Sequence, residues 1–386
     1  MKPFKALGAD GLHAGFFQYF WANVKTVVCR EVSKVFEEKV VPEYLNETLI
    51  SLIPKSPNPK SLSNYRHISL CNTTYKIVSK IVVGQLRPHL DKLISPNQVA
   101  FVPGKRGLDN VVIAQELLHS LDTKKGKAGF MAIKVDFTKV YDRLEWSFVH
   151  HVLNAFHQPQ MLIDLIMSCI SSTRISILFN GGKLNSFKPT RGICQGDLLS
   201  SYIFILCMEY LGYLINKECM DKKWVPMKAS KDNVGISHLF FADDLMLFAK
   251  ANIVGANSIK GVSRKFGEKS RQTVSLEKSQ VYFSSNVPEL IKDNICETLG
   301  IRATSQLGKY LGFPLKHKGM GRNQYNFIMD RIISKLAGWK SKLLSFVGRT
   351  VLVKSVMTAI PNYVMQGVAL PSHLCSKIDK INRYFL

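Results

Sequence analysis

His238-Leu-Phe-Phe-Ala-Asp-Asp-Leu-Met-Leu-Phe248 places two apolar runs, 239–241 and 245–248, on either side of a bare pair of carboxylates, Asp243 and Asp244. The runs suit two short strands with Ala242 and Asp243 at the bend, a β-hairpin. Two adjacent anions in apolar surroundings are costly to desolvate, and a cation beside them relieves that cost. A turn whose side chains never leave water is the alternative. Against it, the bend lacks Gly, Asn and Pro, and the flanking Phe residues call for burial. A hard divalent metal is the natural counter-charge, and it raises the question of which other residue shares it.

Phe130-Met-Ala-Ile-Lys-Val-Asp-Phe137 is a β-rich run ending at Asp136, with Tyr141 and Asp142 just beyond and a helix over about 146–156. A carboxylate at the end of a buried strand can be brought beside one from a neighbouring hairpin. The alternative is an aspartate that caps the next helix, a role that suits Asp142 better than Asp136.

Composition narrows the class. The 386 residues can bury a large core and form more than one lobe. An apolar fraction of 46% and a mean hydropathy of +0.03 are those of a folded protein. Against 28 Asp+Glu stand 52 Lys+Arg, a net charge of +24, which favours nucleic acid or an anionic membrane surface over a merely solvated face. Eight cysteines are scattered without a C-x-x-C pair, which argues against a disulfide framework or zinc knuckle and fits a reducing compartment. The first residues lack the apolar core of a signal peptide. The longest apolar stretch, 202–215, is interrupted by Glu209 and reads as too short to cross a bilayer. The expectation is an intracellular protein without a membrane partner, in the nucleus rather than the cytoplasm.

Elsewhere the pattern alternates helices with short strands. Helical spacing runs over 16–40, and 48–53 reads as a strand entering a basic, proline-rich loop that contains Lys55. Arg66 is expected in a loop near phosphates, and 74–90 in a helix. The segment 96–107 combines an apolar strand with a basic glycine turn in which Lys105 and Arg106 supply charge. A helix over 109–121 should bury Val112, Ile113, Leu117 and Leu118. Residues 174–187 form a hairpin turning at Gly181-Gly182. Pro189-Thr-Arg-Gly-Ile-Cys-Gln-Gly-Asp197 feeds a long apolar helix, an arrangement suited to phosphates or a nucleotide edge. The segment 302–386 carries 14 Lys+Arg against two Asp+Glu, half of the total charge. In it Lys335, Lys340, Lys342, Arg349 and Lys354 alternate with Trp339, Leu343, Phe346 and Val351, a helical lobe that suits a phosphate backbone.

Taken in order, these strings resemble the reverse transcriptase of plant LINE-type (non-LTR) retrotransposons. The resemblance rests on Lys-Val-Asp-Phe-Thr-Lys-Val-Tyr-Asp-Arg-Leu-Glu-Trp (134–146), Arg-Gly-Ile-Cys-Gln-Gly-Asp (191–197), Phe-Ala-Asp-Asp (241–244) and Lys-Tyr-Leu-Gly (309–312). Upstream, Leu-Ile-Pro-Lys (52–55), Tyr-Arg-His-Ile-Ser-Leu (65–70) and Ala-Phe-Val-Pro-Gly (100–104) match as well.

The resemblance implies an α+β right-hand polymerase. Its fingers would span 1–128, with an antiparallel-sheet palm over 129–300 and a fingers insertion near 145–190. A primer grip and basic helical thumb would occupy 301–386. It implies an RNA-directed DNA polymerase with RNA template, DNA primer and dNTPs as partners. Asp136, Asp243 and Asp244 would be the catalytic and metal-binding carboxylates for two Mg²⁺, with Mn²⁺ as a substitute. Tyr141 would exclude a ribose 2′-hydroxyl, and Gln195 and Gly196 would hold the template and the incoming base. Arg66, Lys55 and Lys278 would lie near the triphosphate, and Tyr310, Leu311 and Gly312 would form the primer grip. An endonuclease domain usual upstream in the family is not among the matched strings.

The sequence also departs from the family. Val140 stands for the usual Ala, which would crowd the nucleotide pocket, and Cys194 replaces an Arg in Cys194-Gln-Gly-Asp-Leu-Leu-Ser-Ser201. Prolines are lost there, at His67 and in Lys5-Ala-Leu-Gly-Ala-Asp-Gly11, which reduces rigidity. These losses keep a second expectation open, a degenerate remnant that only binds nucleic acid. An intron-maturase type of splicing factor is a third.

Overall fold

Continuously buried apolar runs identify the central strands, and the longest buried run builds the central helix. The computed structural model describes residues 1–126, 128–230, 232–315, 325–337 and 343–386. The chain divides into two units. The first comprises Met1–Lys105, Asp136–Asp221 and Ser258–Ser275, and the second Arg106–Val135, Lys222–Asn257 and Leu276–Leu386.

The first unit contains a four-stranded sheet of β1 (Glu47–Pro54), β2 (Tyr65–Cys71), β4 (Arg174–Phe179) and β5 (Gly182–Lys183), in the order β2-β1-β4-β5. β1 pairs antiparallel with β2 and parallel with β4. In the same unit the Thr73–Leu86 helix, which buries Tyr75, Val78, Val82 and Leu86, packs against the Leu198–Met220 helix, joined to it by Ser79. Arg66 is an exposed residue of β2 opposite Ile53, so it stands on a strand and not in the loop expected for it. The apolar residues Val99, Ala100 and Val102 are buried but form no strand, because Pro96 and Pro103 bracket them and the turns there leave no room for a ladder.

The apolar stretch around 202–215 also differs from its reading. It belongs to a 23-residue helix that contains an 18-residue window with a mean hydropathy of 1.7, long and apolar enough to cross a membrane by length and composition. Two thirds of that window (67%) is buried inside the protein, which marks a core helix. Glu209 does not break it. Burial raises its carboxyl above the usual range.

The second unit holds a five-stranded sheet of β3 (Phe130–Val135), β6 (His238–Phe241), β7 (Asp244–Lys250), β8 (Gln280–Phe283) and β9 (Arg302–Ala303), in the order β6-β7-β3-β8-β9. Its pairs are antiparallel except β8 with β9. A two-stranded ribbon, β10 (Lys309–Tyr310) and β11 (Phe313–Pro314), turns at Leu311-Gly312. The Gly107–Thr123 helix buries Asn110, Val111, Ala114, Leu117, Leu118 and Leu121 against this sheet. Val112 and Ile113 are exposed, so the buried face is rotated from the one expected. An uninterrupted Val-Val-Ile run gives periodicity no way to choose among its three members. The helices Asn326–Leu336 and Ser372–Phe385 pack here too and add Ile328, Ile332, Leu374 and Ile378 to the same core.

One buried polar residue ties the first sheet to its helices. Asn46, fully buried, donates from Nδ2 to the Cys169 carbonyl at 2.7 Å, with Ser172 Oγ at 2.9 Å and Thr173 Oγ1 at 3.1 Å. Asn46→Ala should lower stability by about 1–3 kcal/mol, because the buried Cys169 carbonyl would keep only the longer bonds donated by Thr173 Oγ1 at 3.4 Å and Tyr75 at 3.5 Å. A urea unfolding midpoint unchanged from wild type would contradict this.

Candidate active site

The β6–β7 hairpin forms as expected. Phe241 pairs with Asp244 across a two-residue turn of Ala242 and Asp243. Ala242 has a φ of 53°, a left-handed conformation costly for a residue with a Cβ. Leu245, Met246, Leu247 and Phe248 are buried, whereas Asp243 and Asp244 are both exposed. The desolvation argument therefore does not hold at the tip. The buried flanks carry the carboxylates out to solvent, where their charge costs little.

β3 lies beside β7 with Val135 opposite Leu245, and Asp136 is the next residue in the chain. Asp136 is half-buried, and its carbonyl accepts from Ser275 N at 2.7 Å. Among the described residues, no group of three His, Cys, Asp or Glu is arranged to hold a metal by itself. Asp243 and Asp244 offer only carboxylate oxygens, a donor type that suits a hard cation keeping waters and phosphate oxygens as further ligands.

In the second unit, the ribbon turn packs beside the hairpin. A Cβ added at Gly107 would lie 2.9 Å from the Phe241 ring and 3.4 Å from Leu311, so only glycine lets these elements meet. Tyr310 is buried. Burial pushes its phenol up, and the negative charge of Asp244 adds to that rise. Leu311 (φ 49°) and Gly312 (φ 84°) make the turn, and Tyr363 donates to the Leu311 carbonyl at 2.8 Å. Asn110, buried on the Gly107–Thr123 helix, donates from Nδ2 to the Phe240 carbonyl at 3.0 Å. Sequence reading missed Asn110, although a lone polar residue on an apolar helical face is the signal for it.

In the first unit, the segment after Asp136 is laced to the 191–197 loop. The Tyr141 carbonyl accepts from Ile193 N at 2.8 Å, that of Leu144 from Gly192 N at 2.8 Å, and that of Gly192 from Trp146 Nε1 at 2.7 Å. The Tyr141 ring stacks on Phe204 with centroids 5.3 Å apart. Val140 is buried and its carbonyl accepts from Gln272 Nε2 at 2.8 Å. It fills the core, and does not crowd an open pocket as expected. The Gln195 carbonyl accepts from Ser69 N at 2.8 Å. Gly196 (φ 119°) passes so close that a Cβ would sit 3.0 Å from the Ser69 oxygen.

Asp142 does not cap the following helix, whose N-cap is Glu145. It lies 2.7 Å from His67 Nε2, off the line of a directed hydrogen bond. Asp197, at the start of the long helix, is buried. Burial raises its carboxyl, while a hydrogen bond donated by Ser79 Oγ at 2.7 Å works against the rise. The His67–Asp142 pair was not legible in sequence, because 75 residues separate its members.

The predicted cations are placed unevenly. Lys55 donates from Nζ to the Ser63 carbonyl at 3.0 Å. Lys105 is bound to the carbonyls of Ile94, Ser95 and Gln98 at 3.1, 2.7 and 3.3 Å, so it pins its own loop instead of presenting its charge to phosphate. Arg106 pairs with Asp109 at 3.1 Å. Arg349 Nε donates to the Leu344 carbonyl at 3.2 Å. Lys278, Lys335 and Lys354 are exposed, and Lys340 and Lys342 lie outside the described residues.

Residues 53–315 match the reverse transcriptase (RNA-dependent DNA polymerase) family. The chain belongs to that family, and with it to the α+β right-hand polymerase class. It is 26% identical over 385 residues to the Transposon TX1 uncharacterized 149 kDa protein of Xenopus laevis, covering 97% of this chain and 28% of that protein. It is 27% identical over 273 residues to the Retrovirus-related Pol polyprotein from type-2 retrotransposable element R2DM of Drosophila melanogaster, covering 66% and 25%. Both relatives are named as proteins of transposable elements, the second as a Pol polyprotein of a retrotransposable element. The chain spans about a quarter of the length of the curated relatives it matches. Among solved structures, apo telomerase from Candida tropicalis aligns with a TM-score of 0.43 and 16% identity over 65% of this chain and 52% of that one.

Within the opening stretch, His238 is fully buried, and burial lowers its pKa to about 4 from a usual 6.5. Between these values the unfolded chain binds a proton that the folded one refuses. Stability is therefore complete above about pH 6.5 and falls as pH drops through about 4, by about 3 kcal/mol in all. His238→Gln should flatten the slope of unfolding midpoint against pH over that window. An unaltered slope would show that another group sets it.

Proposed function

We propose that this domain catalyses RNA-directed DNA synthesis for a plant LINE-type element, adding deoxynucleotides from dNTPs to a DNA primer 3′-hydroxyl on an RNA template. The observation that carries this reading is the sheet register. β3 and β7 pair up to Val135 and Leu245, and each strand is followed or begun at that end by an aspartate, Asp136 and Asp244, with Asp243 at the turn. Asp136, Asp243 and Asp244 would hold two Mg²⁺, or Mn²⁺ in their place. Bound there, the ions would lower the pKa of the primer hydroxyl and neutralise the triphosphate.

The chain's own residues do the positioning. Tyr141, backed by Phe204, limits the space beside the sugar. Gln195 and Gly196, anchored on β2, form the ledge for template and incoming base. Arg66, Lys55 and Lys278 supply charge toward the triphosphate. Tyr310, Leu311 and Gly312 form the primer grip, held by the buried phenol and by the Tyr363 hydrogen bond. Fingers would span 1–128, palm 129–300 with its insertion near 145–190, and primer grip and thumb 301–386. The net charge of +24 supports nucleic-acid partners and a nuclear site of action. An endonuclease domain, in a longer product or on a partner, would supply the primer end.

Primer extension on an RNA template with Mg²⁺ tests the reading. Asp243→Ala should lower extension by ~10²-fold or more, the order seen when a main electrostatic stabiliser is removed. Wild-type protein that binds duplex but extends nothing would leave only the degenerate binder. For the basic lobe, combining Lys335→Ala, Arg349→Ala and Lys354→Ala should reduce the log–log salt dependence of duplex binding by about one for each phosphate no longer neutralised. An identical salt slope would remove these residues from the interface.

A further inference from the structure

The reaction leaves one side-chain pair of the first unit without a task. His67 Nε2 lies 2.7 Å from Asp142 Oδ1, with 33% and 35% of the two side chains exposed. A nitrogen lone pair that close to a carboxylate oxygen would repel it, so the contact is attractive only with a proton on Nε2. That proton points off the line to the oxygen, which makes the pair an electrostatic brace and not a linear hydrogen bond.

The pair closes a junction of three segments. On β2, His67 stands opposite Leu52. The short Val140–Arg143 helix carries Tyr141 and Asp142. The 191–197 loop bonds to both: the Gln195 carbonyl accepts from Ser69 N at 2.8 Å, and Ile193 N donates to the Tyr141 carbonyl at 2.8 Å. A Cβ at Gly192 would lie 2.8 Å from the Asp142 carbonyl oxygen, so loop and helix are in close contact there too. The His67–Asp142 contact joins the two outer segments directly.

Two of the chain's departures from its family meet at this junction. His67 stands for a proline and Cys194 for an arginine, and both line one cavity of about 540 Å³ together with Asp142. Because Ile193 is bonded to Tyr141, positions 194 and 142 are each one residue from that bond. An arginine at 194 would have the length and the room to set its guanidinium against Asp142. Cysteine has neither the length nor the charge. Arg191, on the same wall, is engaged with Glu145 at 3.6 Å. The imidazole of His67 brings a donor to Asp142 from the β2 side.

We propose that His67 is a positioning residue that braces Asp142, and through it Tyr141 and the Gln195-Gly196 ledge, in the place an arginine at 194 would fill. Its effect on nucleotide choice rests on the polymerase reading, whereas the brace itself does not.

A proline at 67 is compatible with the sheet. β2 is an edge strand, and Ser69 turns its N–H away from β1 toward Gln195. His67, two residues along, shares that orientation, so the ladder does not need its N–H. His67→Pro therefore removes the imidazole and leaves β2 in place.

The test compares single-nucleotide extension with a dNTP and with the matching rNTP. His67→Pro and Asp142→Asn should each lower the dNTP-over-rNTP ratio of kcat/KM by roughly fivefold, the upper end of what a partly exposed ion pair supplies. A variant that is only less stable loses both activities together and keeps the ratio. Adding Cys194→Arg to His67→Pro should restore the ratio, and adding it to Asp142→Asn should not. Hydrogen–deuterium exchange over 190–197 gives a second readout that needs no activity. It should quicken in both single variants, return to the wild-type rate in the His67→Pro, Cys194→Arg double variant, and stay unchanged over Leu198–Met220. His67→Ala takes the place of the proline variant if that one fails to fold. An unmoved ratio in an active enzyme, or no recovery with Cys194→Arg, would overturn the proposal. Wild-type protein that extends nothing, with exchange responding as described, would refute the polymerase reading and leave the brace standing.

Discussion

The pairing of β3 between β7 and β8 is the constraint on which the second unit depends. Met131, Ala132 and Ile133 are completely buried, with Ala249, Phe248 and Leu247 opposite them on one side and Phe283, Tyr282 and Val281 on the other. A slip of one residue would turn every side chain of β3 to the opposite face. Register is therefore set by packing, and it determines which residues emerge at the strand ends. Asp244 opens β7 at the end where β3 finishes. The strained φ of Ala242 persists because the strands on both sides of the turn are locked in place.

A second theme is how buried polar groups are satisfied. Asn46, Asn110 and Asp197 are each almost completely buried, and each bonds a segment distant in sequence. Asp197 shows the balance most clearly. Burial favours its neutral form, while Ser79 and its place at a helix N-terminus favour the anion. With its carboxyl raised overall, the folded state holds that proton more firmly than the unfolded chain does. The contribution is largest in acid and is lost as pH rises through the raised value.

Much of the fold was legible because its elements advertise themselves locally. The β6–β7 hairpin, the strand before Asp136 and the helices at Thr73–Leu86, Gly107–Thr123 and Trp146–Ala155 follow from apolar spacing and turn residues. What sequence reading missed depends on partners far away. Arg66 looked like a loop residue because its strand is short and polar, and β1 supplies the ladder that makes it a strand. Val140 looked like an obstruction until the short Val140–Arg143 helix turned it into the core. The exposed state of Asp243 and Asp244 was hidden for the opposite reason. Their neighbours are so apolar that burial seemed to extend across the turn.

The same distinction separates charge from contact. A lysine whose ammonium is bound to backbone carbonyls, as in Lys105 and Lys55, cannot also grip a phosphate without breaking those bonds. Its charge is not cancelled by neutral carbonyls, however, so it still adds to the positive field around the fold. Such a field raises the rate of encounter with a polyanion without choosing where the polyanion lies. On the proposed function, orientation would come from directed groups, the ledge at Gln195-Gly196 and the ribbon turn at Leu311-Gly312. Both are backbone features, shaped by glycines with positive φ. A substitution that removes one lysine should therefore be felt mainly in association rate. One that adds a Cβ at Gly196, against the Ser69 oxygen, should be felt in geometry.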